Sequence, residues 1–322
     1  MKHFLIWIMA ATTISSYAQT ADKVLARVTY NFSHLRDTTK RDQVHTEEML
    51  LIIGKNVSLY TSAFNVAQAG EIKQMMMKPE AQQGSFMSVS SNLRSTLPAT
   101  AGGSFENISI PTLTDYYFFS KTHKFYTKEQ LDRPYLVEED APKINWKTTN
   151  DTISFSGIVC QKAEAYFRGR NWTAWYSEEL PFQSGPWKLN GLPGLIIEAY
   201  DENKEVQFKF AGIEKANPAT SSAPDKSKSK TAGMQPEMRN YINDLDSYLG
   251  DEIKLPENII RTNLWGINKL KKAMEKDPEG FFKSRMDAAP VVSGRTAMST
   301  VSMTAGFTIG TQENNPIEKP EK

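Results

Sequence analysis

Apolar and polar residues alternate with a period of two along most of the chain, the spacing of strands that bury one face. In VLARVTYNF, residues Val24, Ala26, Val28, Tyr30 and Phe32 share a face. EEMLLIIGKNVSLYT holds two apolar runs joined at Gly54-Lys55-Asn56, which predicts a hairpin. DYYFFSKTHKFYT repeats the arrangement with its turn near Lys121. In KEVQFKFAGI, Val206, Phe208 and Phe210 oppose Glu205, Gln207 and Lys209. PYLVEE, SGIVCQKAEAYF, WTAWYS and GLIIEAY bring the expectation to about ten strands. Most are separated by too few residues for a parallel crossover, so the sheet is expected to be antiparallel.

Helical periodicity is confined to fewer segments. NVAQAGEIKQMMMK, PEMRNYINDLDSYL and NLWGINKLKKAMEKDPEGFFKSRM carry it. In the last, Leu264, Ile267, Leu270 and Met274 keep helical spacing, and Asp277-Pro278 restarts a second short helix with proline in its first turn. KANPATSSAPDKSKSKTAG, at 215–233, is too poor in apolar residues to order itself and reads as an insert. The tail TQENNPIEKPEK is equally polar, with Asn315-Pro316-Ile317 as a local anchor. These patterns predict a mainly β, α+β fold. Its sheet is curved and mostly antiparallel, or forms a partly closed barrel, with C-terminal helices packed on it. One domain is expected over 19–322, with the insert at about 215–233 and the helical additions at about 234–286.

The run GLPGLI stands out at Gly191-Leu192-Pro193-Gly194-Leu195-Ile196. Leu-Pro-Gly-Leu suits a type II turn, with Pro193 fixing φ near −65° and Gly194 supplying a positive φ. Leu195, Ile196 and Ile197 are apolar on both faces of the strand that follows, which predicts a covered strand.

The N-terminus adds a compartment. Lys2 and His3 precede an apolar stretch at 4–11, and Ser16-Tyr17-Ala18 has the small residues of a cleavage site. Residues 1–18 are thus expected to be a secretory signal peptide, and the protein to be periplasmic or secreted. No later segment approaches the roughly 18 apolar residues of a membrane-spanning helix. Cleavage would remove one of the 38 basic residues and leave them level with the 37 acidic ones. A neutral chain lacks the concentrated positive field that nucleic-acid binding needs.

Chemistry-bearing residues are sparse. Cys160 is the only cysteine, which excludes an intramolecular disulfide; it reads as a buried small hydrophobe or as a nucleophile, the latter with His123 as partner. His34, His45 and His123 fall in no zinc-binding pattern, and no nucleotide-binding or nucleophile-elbow motif occurs, so no cofactor is implied. Met75-Met76-Met77, with Met87, offer either thioether ligands for Cu(I) or core filling. Arg168 and Arg170 with Trp172, Trp175, Tyr176 and Trp187 form the densest aromatic and cationic patch. Exposed, it would stack on a sugar or grip a carboxylate. Buried, its aromatics are sheet core and Arg170 pairs with Glu178, Glu179 or Asp201. Alternation already sets Trp172, Ala174 and Tyr176 on one face and Trp175 on the other.

The segment from Cys160 to Asp201 resembles the GLPGLI family of exported Bacteroidota proteins. The shared pattern is Cys160, Lys162 and Ala163, then Phe167 with Gly169-Arg170, then Ala174-Trp175-Tyr176 and Leu180-Pro181. Gly185-Pro186-Trp187 and Gly191 through Ile196 complete it, and Asp140, Trp146 and the closing Asn315-Pro316-Ile317 extend it. The biochemical role of that family is not established, so the resemblance implies compartment and fold. The expected function is a non-catalytic envelope module that binds a ligand or protein partner, with Arg170, Trp175, Trp187 and Cys160 as its site. The alternatives are a hydrolase or thiol enzyme using Cys160, Glu178 or Asp140, and a copper-handling protein using Met75, Met76 and Met77.

Overall fold

A computed structural model describes residues 22–77, 111–216, 244–257, 259–287 and 314–320. The expected signal peptide, Met87 and nearly all of the 215–233 insert lie outside the described residues. A twelve-stranded sheet organises the molecule. One half is a meander of neighbours in sequence: β2 (Ala26–His34), β3 (His45–Ile53), β4 (Val57–Ser62), β5 (Asp115–Phe119), β6 (Lys124–Gln130) and β7 (Pro134–Asp140). The other half is a second meander: β8 (Lys147–Phe155), β9 (Ile158–Phe167), β10 (Arg170–Ser177), β11 (Leu195–Asp201) and β12 (Val206–Lys215). The halves join where β12 pairs antiparallel with β2. β14 (Ile260–Asn263) pairs parallel with β7 at one end, the exception to the antiparallel expectation. A separate two-stranded ladder joins β1 (Asp22–Lys23) to β13 (Glu252–Ile253).

Of the two forms expected, the open sheet is the one adopted. Its order runs from β14 to β8 without closing, so it is not a barrel. It bends strongly nonetheless. Residues of β2–β4 and of β9–β12 share one buried cluster that includes Tyr30, Leu51, Tyr60, Trp172, Ile196 and Phe208. Strands that far apart in the order meet only if the sheet folds back on itself. The loop 178–194 fills the interior of that bend with Trp187, Leu189 and Leu192. Its Ser184 hydroxyl donates to the Ser58 hydroxyl on β4 at 3.2 Å.

The other face of β3–β7 is covered by helical elements, as the sequence pattern predicts. α1 (Ala63–Met76) starts at an N-cap whose Ser62 hydroxyl accepts from the Phe64 amide, and it buries Ala69, Ile72 and Met76. Helical residues 244–249 add Leu245 and Tyr248 to the same cluster. Tyr248 donates to the buried Asp115 carboxylate at 2.6 Å, and the Thr61 hydroxyl donates to its other oxygen at 2.6 Å. On the opposite face of β7 from Leu136, α2 (Leu264–Lys276) places Ile267, Leu270 and Met274 against Leu131, Tyr135 and Val137. Leu264, assigned to that stripe by spacing, is exposed instead. α3 (Pro278–Asp287) begins at the expected proline.

The glycines of GLPGLI work differently from the turn expected. Gly194 does not have a positive φ; Gly191 does, at 90°. A Cβ on Gly194 would lie 2.0 Å from the Ser177 carbonyl oxygen, so that position needs glycine for close backbone approach. Leu195, Ile196 and Ile197 are buried, as a covered strand requires. β11 stays beside β10 here but is in register with β12 only at Ala199 and Tyr200. The carbonyl of Ile196 is instead satisfied across the interior by the Tyr30 hydroxyl at 2.6 Å.

Candidate functional site

The hairpin between β9 and β10 turns on Arg168 and Gly169, both with positive φ, at 51° and 72°. That two-residue turn makes Arg170 the first residue of β10, on the face shared with Trp172, Ala174 and Tyr176. Trp172 is fixed there by an indole N–H donated to the Phe167 carbonyl at 3.0 Å. Arg170 is only 4% exposed. A buried guanidinium must spend its five donors on acceptors in a planar fork.

Asp201 supplies the first acceptor: Arg170 Nη1 donates to its Oδ2 at 2.6 Å, while Asp201 Oδ1 accepts the Val206 amide at 2.9 Å. Glu205 is the second carboxylate, 3.5 Å from the same nitrogen. Of the partners offered by sequence, Asp201 is the one used; Glu178 and Glu179 are exposed. The remaining donors reach a segment distant in sequence. Nη2 donates to Asn315 Oδ1 at 2.8 Å and to the Pro316 carbonyl at 2.7 Å, and Nε donates to the Ile317 carbonyl at 3.0 Å.

Residues 314–320 thus lie as a strap over one end of the bent sheet. Asn315 is 1% exposed; its side-chain amide donates to the Leu35 carbonyl at 2.7 Å, and its backbone amide to the Arg36 carbonyl at 3.1 Å. Ile317 packs against the main core. Lys188 joins Glu139 at 2.6 Å to Glu318 of the strap at 3.0 Å. Beside the strap, a depression of about 250 Å³ is lined by Tyr166, Arg170, Asn171, Asp201, Glu202 and Lys319, among others.

His34 completes the cradle, with Nε2 2.7 Å from the Asn315 carbonyl. The carbonyl can only accept, so His34 is the donor there and is held as the neutral tautomer carrying that proton. Burial, together with the charges of Arg36, Arg170 and His45, brings its pKa down to about 4 despite the bond to Asn315. An unfolded histidine takes up a proton near pH 6.5, whereas folded His34 resists it until about pH 4. Its contribution is therefore intact above pH 6.5 and is lost as the pH falls through that window. The loss is about 3 kcal/mol at full protonation. Urea titrations of wild type and His34→Gln should show their stability difference shifting against wild type by that amount between pH 7 and 4. Parallel curves would refute the assignment.

The four candidate residues do not meet at one open cavity. Trp187 is 3% exposed and packs at a tilt against Trp172 and Phe167, with ring centroids 5.6 and 5.7 Å away. It carries a positive φ of 54°, an uncommon conformation for a bulky residue. Trp175 is half-buried on the opposite face of β10, against Phe155. Cys160 is fully buried, and its sulfur is 3.6 Å from the Ile158 carbonyl. Burial, then the charges of Glu179 and Glu198, push its thiol up to about 11. At pH 8 native Cys160 should react with a disulfide reagent roughly two orders of magnitude more slowly than in denaturant. Equal rates in a labelling time course would contradict this environment.

The residues of the enzyme and copper alternatives are also dispersed. Asp140 is an exposed partner of Lys124 at 2.8 Å, and His123 sits in the β5–β6 turn, far from β9 in the sheet order. Met76 is core, while Met75 and Met77 are half-buried, and consecutive helical residues diverge by about 100° around the axis. Sequence reasoning missed a cluster on β3: the Glu47 carboxylate is held by His45 at 3.2 Å, by the Ser62 hydroxyl and by Thr112. Burial pushes that carboxyl up, yet the hydrogen bonds outweigh it and hold it below its usual range. The carboxylate stands between serine and histidine, so the imidazole cannot take the serine proton as a nucleophilic set requires. Period-two spacing of His45 and Glu47 was the available signal; Ser62 and Thr112 join them only through tertiary pairing.

Residues 120–198 match the model of a family described as a protein of unknown function (Porph_ging). That span contains the β9–β10 hairpin, Arg170 and the whole GLPGLI run, about a quarter of the chain. No curated protein matches the sequence. Two crystal forms of PNGF-II align at 12% identity with a TM-score of 0.42, over 76% of this chain and 32% of theirs. The chain thus spans about a third of the length of that protein. A likeness of this size has no bearing on activity.

Proposed function

We propose that the chain is an exported cell-envelope protein of the GLPGLI family and acts as a non-catalytic β module that binds a polypeptide partner. The observation that carries this reading is the use made of Arg170. Its fork takes a side-chain amide and two successive main-chain carbonyls of the strap, with His34 on a third carbonyl. Successive main-chain carbonyls held by fixed donors are the chemistry of peptide capture rather than of bond making. The titratable groups within reach support the same view: Asp201 and Glu205 neutralise Arg170, and Cys160 is protonated and buried away from it. The motif residues Gly185, Pro186 and Gly191 through Ile196 serve the fold that positions the cradle.

Two measurements test the reading. N-terminal sequencing of the protein from the envelope fraction should begin at Gln19; an unprocessed chain would overturn the export part. A photo-crosslinking residue in place of exposed Asn171, on the rim of the depression, should yield a polypeptide adduct in intact cells. Illumination that leaves the protein at its own mass would overturn the binding part.

A further inference from the structure

The strap is a peptide ligand in form, and the cradle that holds it reads specific side chains. Asn315 is selected at both ends of its amide: Oδ1 by Arg170 at 2.8 Å, Nδ2 by the Leu35 carbonyl at 2.7 Å. A carboxylate there would lose the donor, and an aliphatic residue would remove one acceptor from Arg170 and the side-chain donor from the Leu35 carbonyl. Pro316 gives up no hydrogen bond by lacking an N–H, since only its carbonyl is used, and its ring restricts the backbone in advance. Ile317 enters the apolar cluster. Glu318 meets Lys188 at 3.0 Å and Arg168 at 3.7 Å.

A second feature shows that the site is shaped for main chain running over it. A Cβ on Gly169 would lie 2.6 Å from the Lys319 Cβ and 2.9 Å from the carbonyl oxygens of Lys319 and Pro320. The Lys319 amide donates to the Arg168 carbonyl at 3.0 Å, a main-chain bond between strap and turn. Gly169 therefore both closes the hairpin and leaves the floor on which the strap lies.

We infer that this cradle is a recognition site for Asn-Pro-aliphatic-acidic peptides, and that residues 315–318 occupy it in cis. This rests on the binding reading above and names its ligand class. A ligand on the same chain competes intramolecularly, so a free peptide binds the intact chain weakly until the cis segment is loosened. The same chemistry can come from the tail of a second copy or from another protein.

The test uses full-length chains and a fluorescent peptide of residues 313–322. The Asn315→Ala chain, whose own strap is weakened and whose cradle is intact, should bind the peptide at least tenfold tighter than wild type does. A peptide carrying Asn315→Ala should bind neither chain. Gly169→Asn keeps the left-handed turn but fills the floor, so that chain should not bind the peptide. Glu318→Lys, at a half-exposed position, loosens the strap without opening the core and should show the same gain if Asn315→Ala does not fold. No gain in either loosened chain, or binding that survives Gly169→Asn, overturns the inference while leaving the crosslinking result untouched. Sedimentation separates the sources: a dimer that excess peptide dissolves identifies tail exchange between copies, and a monomer that binds the peptide identifies a foreign tail.

Discussion

Arg170→Met should unfold in urea with about 3–5 kcal/mol less stability than wild type, at an unchanged denaturant slope. The loss follows from what stays behind rather than from what is removed. Asp201, with a side chain only 4% exposed, would lose the guanidinium it pairs with, while Glu205, 8% exposed, would keep its longer contacts to Lys319 at 3.6 Å and Arg41 at 3.7 Å. The Asn315 amide oxygen and the carbonyls of Pro316 and Ile317 would lose their donor as well. Such a deficit is a large share of the 5–15 kcal/mol typical of a folded domain. Arg170→Lys restores one charge but no fork, so it should recover only part of the loss. Adding Asp201→Asn to Arg170→Met should also recover part, because the carboxylate left without its guanidinium is gone. Single and double variants that lose the same amount would show that the Arg170–Asp201 pairing is not the source.

The second large effect belongs to the hexapeptide. Gly194→Ala should cost about 3 kcal/mol or more, beyond the usual range for an added methyl in a packed site. Its Cβ would meet the Ser177 carbonyl oxygen at 2.0 Å and carbon at 2.5 Å, both backbone atoms of the neighbouring strand end. Backbone cannot swing aside as a side-chain tip does, so β10 and β11 would have to separate. Gly191→Ala meets no atom within 4 Å and is penalised only through its φ of 90°, about 1–2 kcal/mol. Thermal or urea melts should therefore rank Gly194→Ala well below Gly191→Ala. The reverse ranking would return Gly194 to the turn-forming role that its sequence suggests.

That contrast shows where reading from sequence ends. The hairpins at Gly54-Lys55-Asn56 and Lys121, the amphipathic α2 and the buried β11 were legible because each is set by local spacing. β8 was not, because seven of its nine residues are exposed and none is buried, which leaves no buried face to read. Glycine at 194 is legible as a requirement but not as a cause, since a type II turn and a close tertiary approach demand the same residue. Arg170 with Asp201 was among the pairings sequence allowed. Its bonds to Asn315, 145 residues away, were beyond any local pattern. The split of Trp175 from Trp172 followed from strand parity, and the structure keeps them on opposite faces.

The junction of the two meanders has a kinetic meaning. Within each half, every strand pairs with its neighbour in sequence, most of them across short turns, with α1 interposed between β4 and β5 and the loop 178–194 between β10 and β11. The halves become one sheet only when β2 meets β12, in a ladder that sets Ala26 against Lys215. Nothing local rewards that closure until the ladder forms, and its loop entropy is among the largest the topology demands. The rate-limiting step of folding is expected there, with amides of β2 and β12 the last to gain protection in pulsed hydrogen exchange. Early protection of that ladder would move the barrier elsewhere.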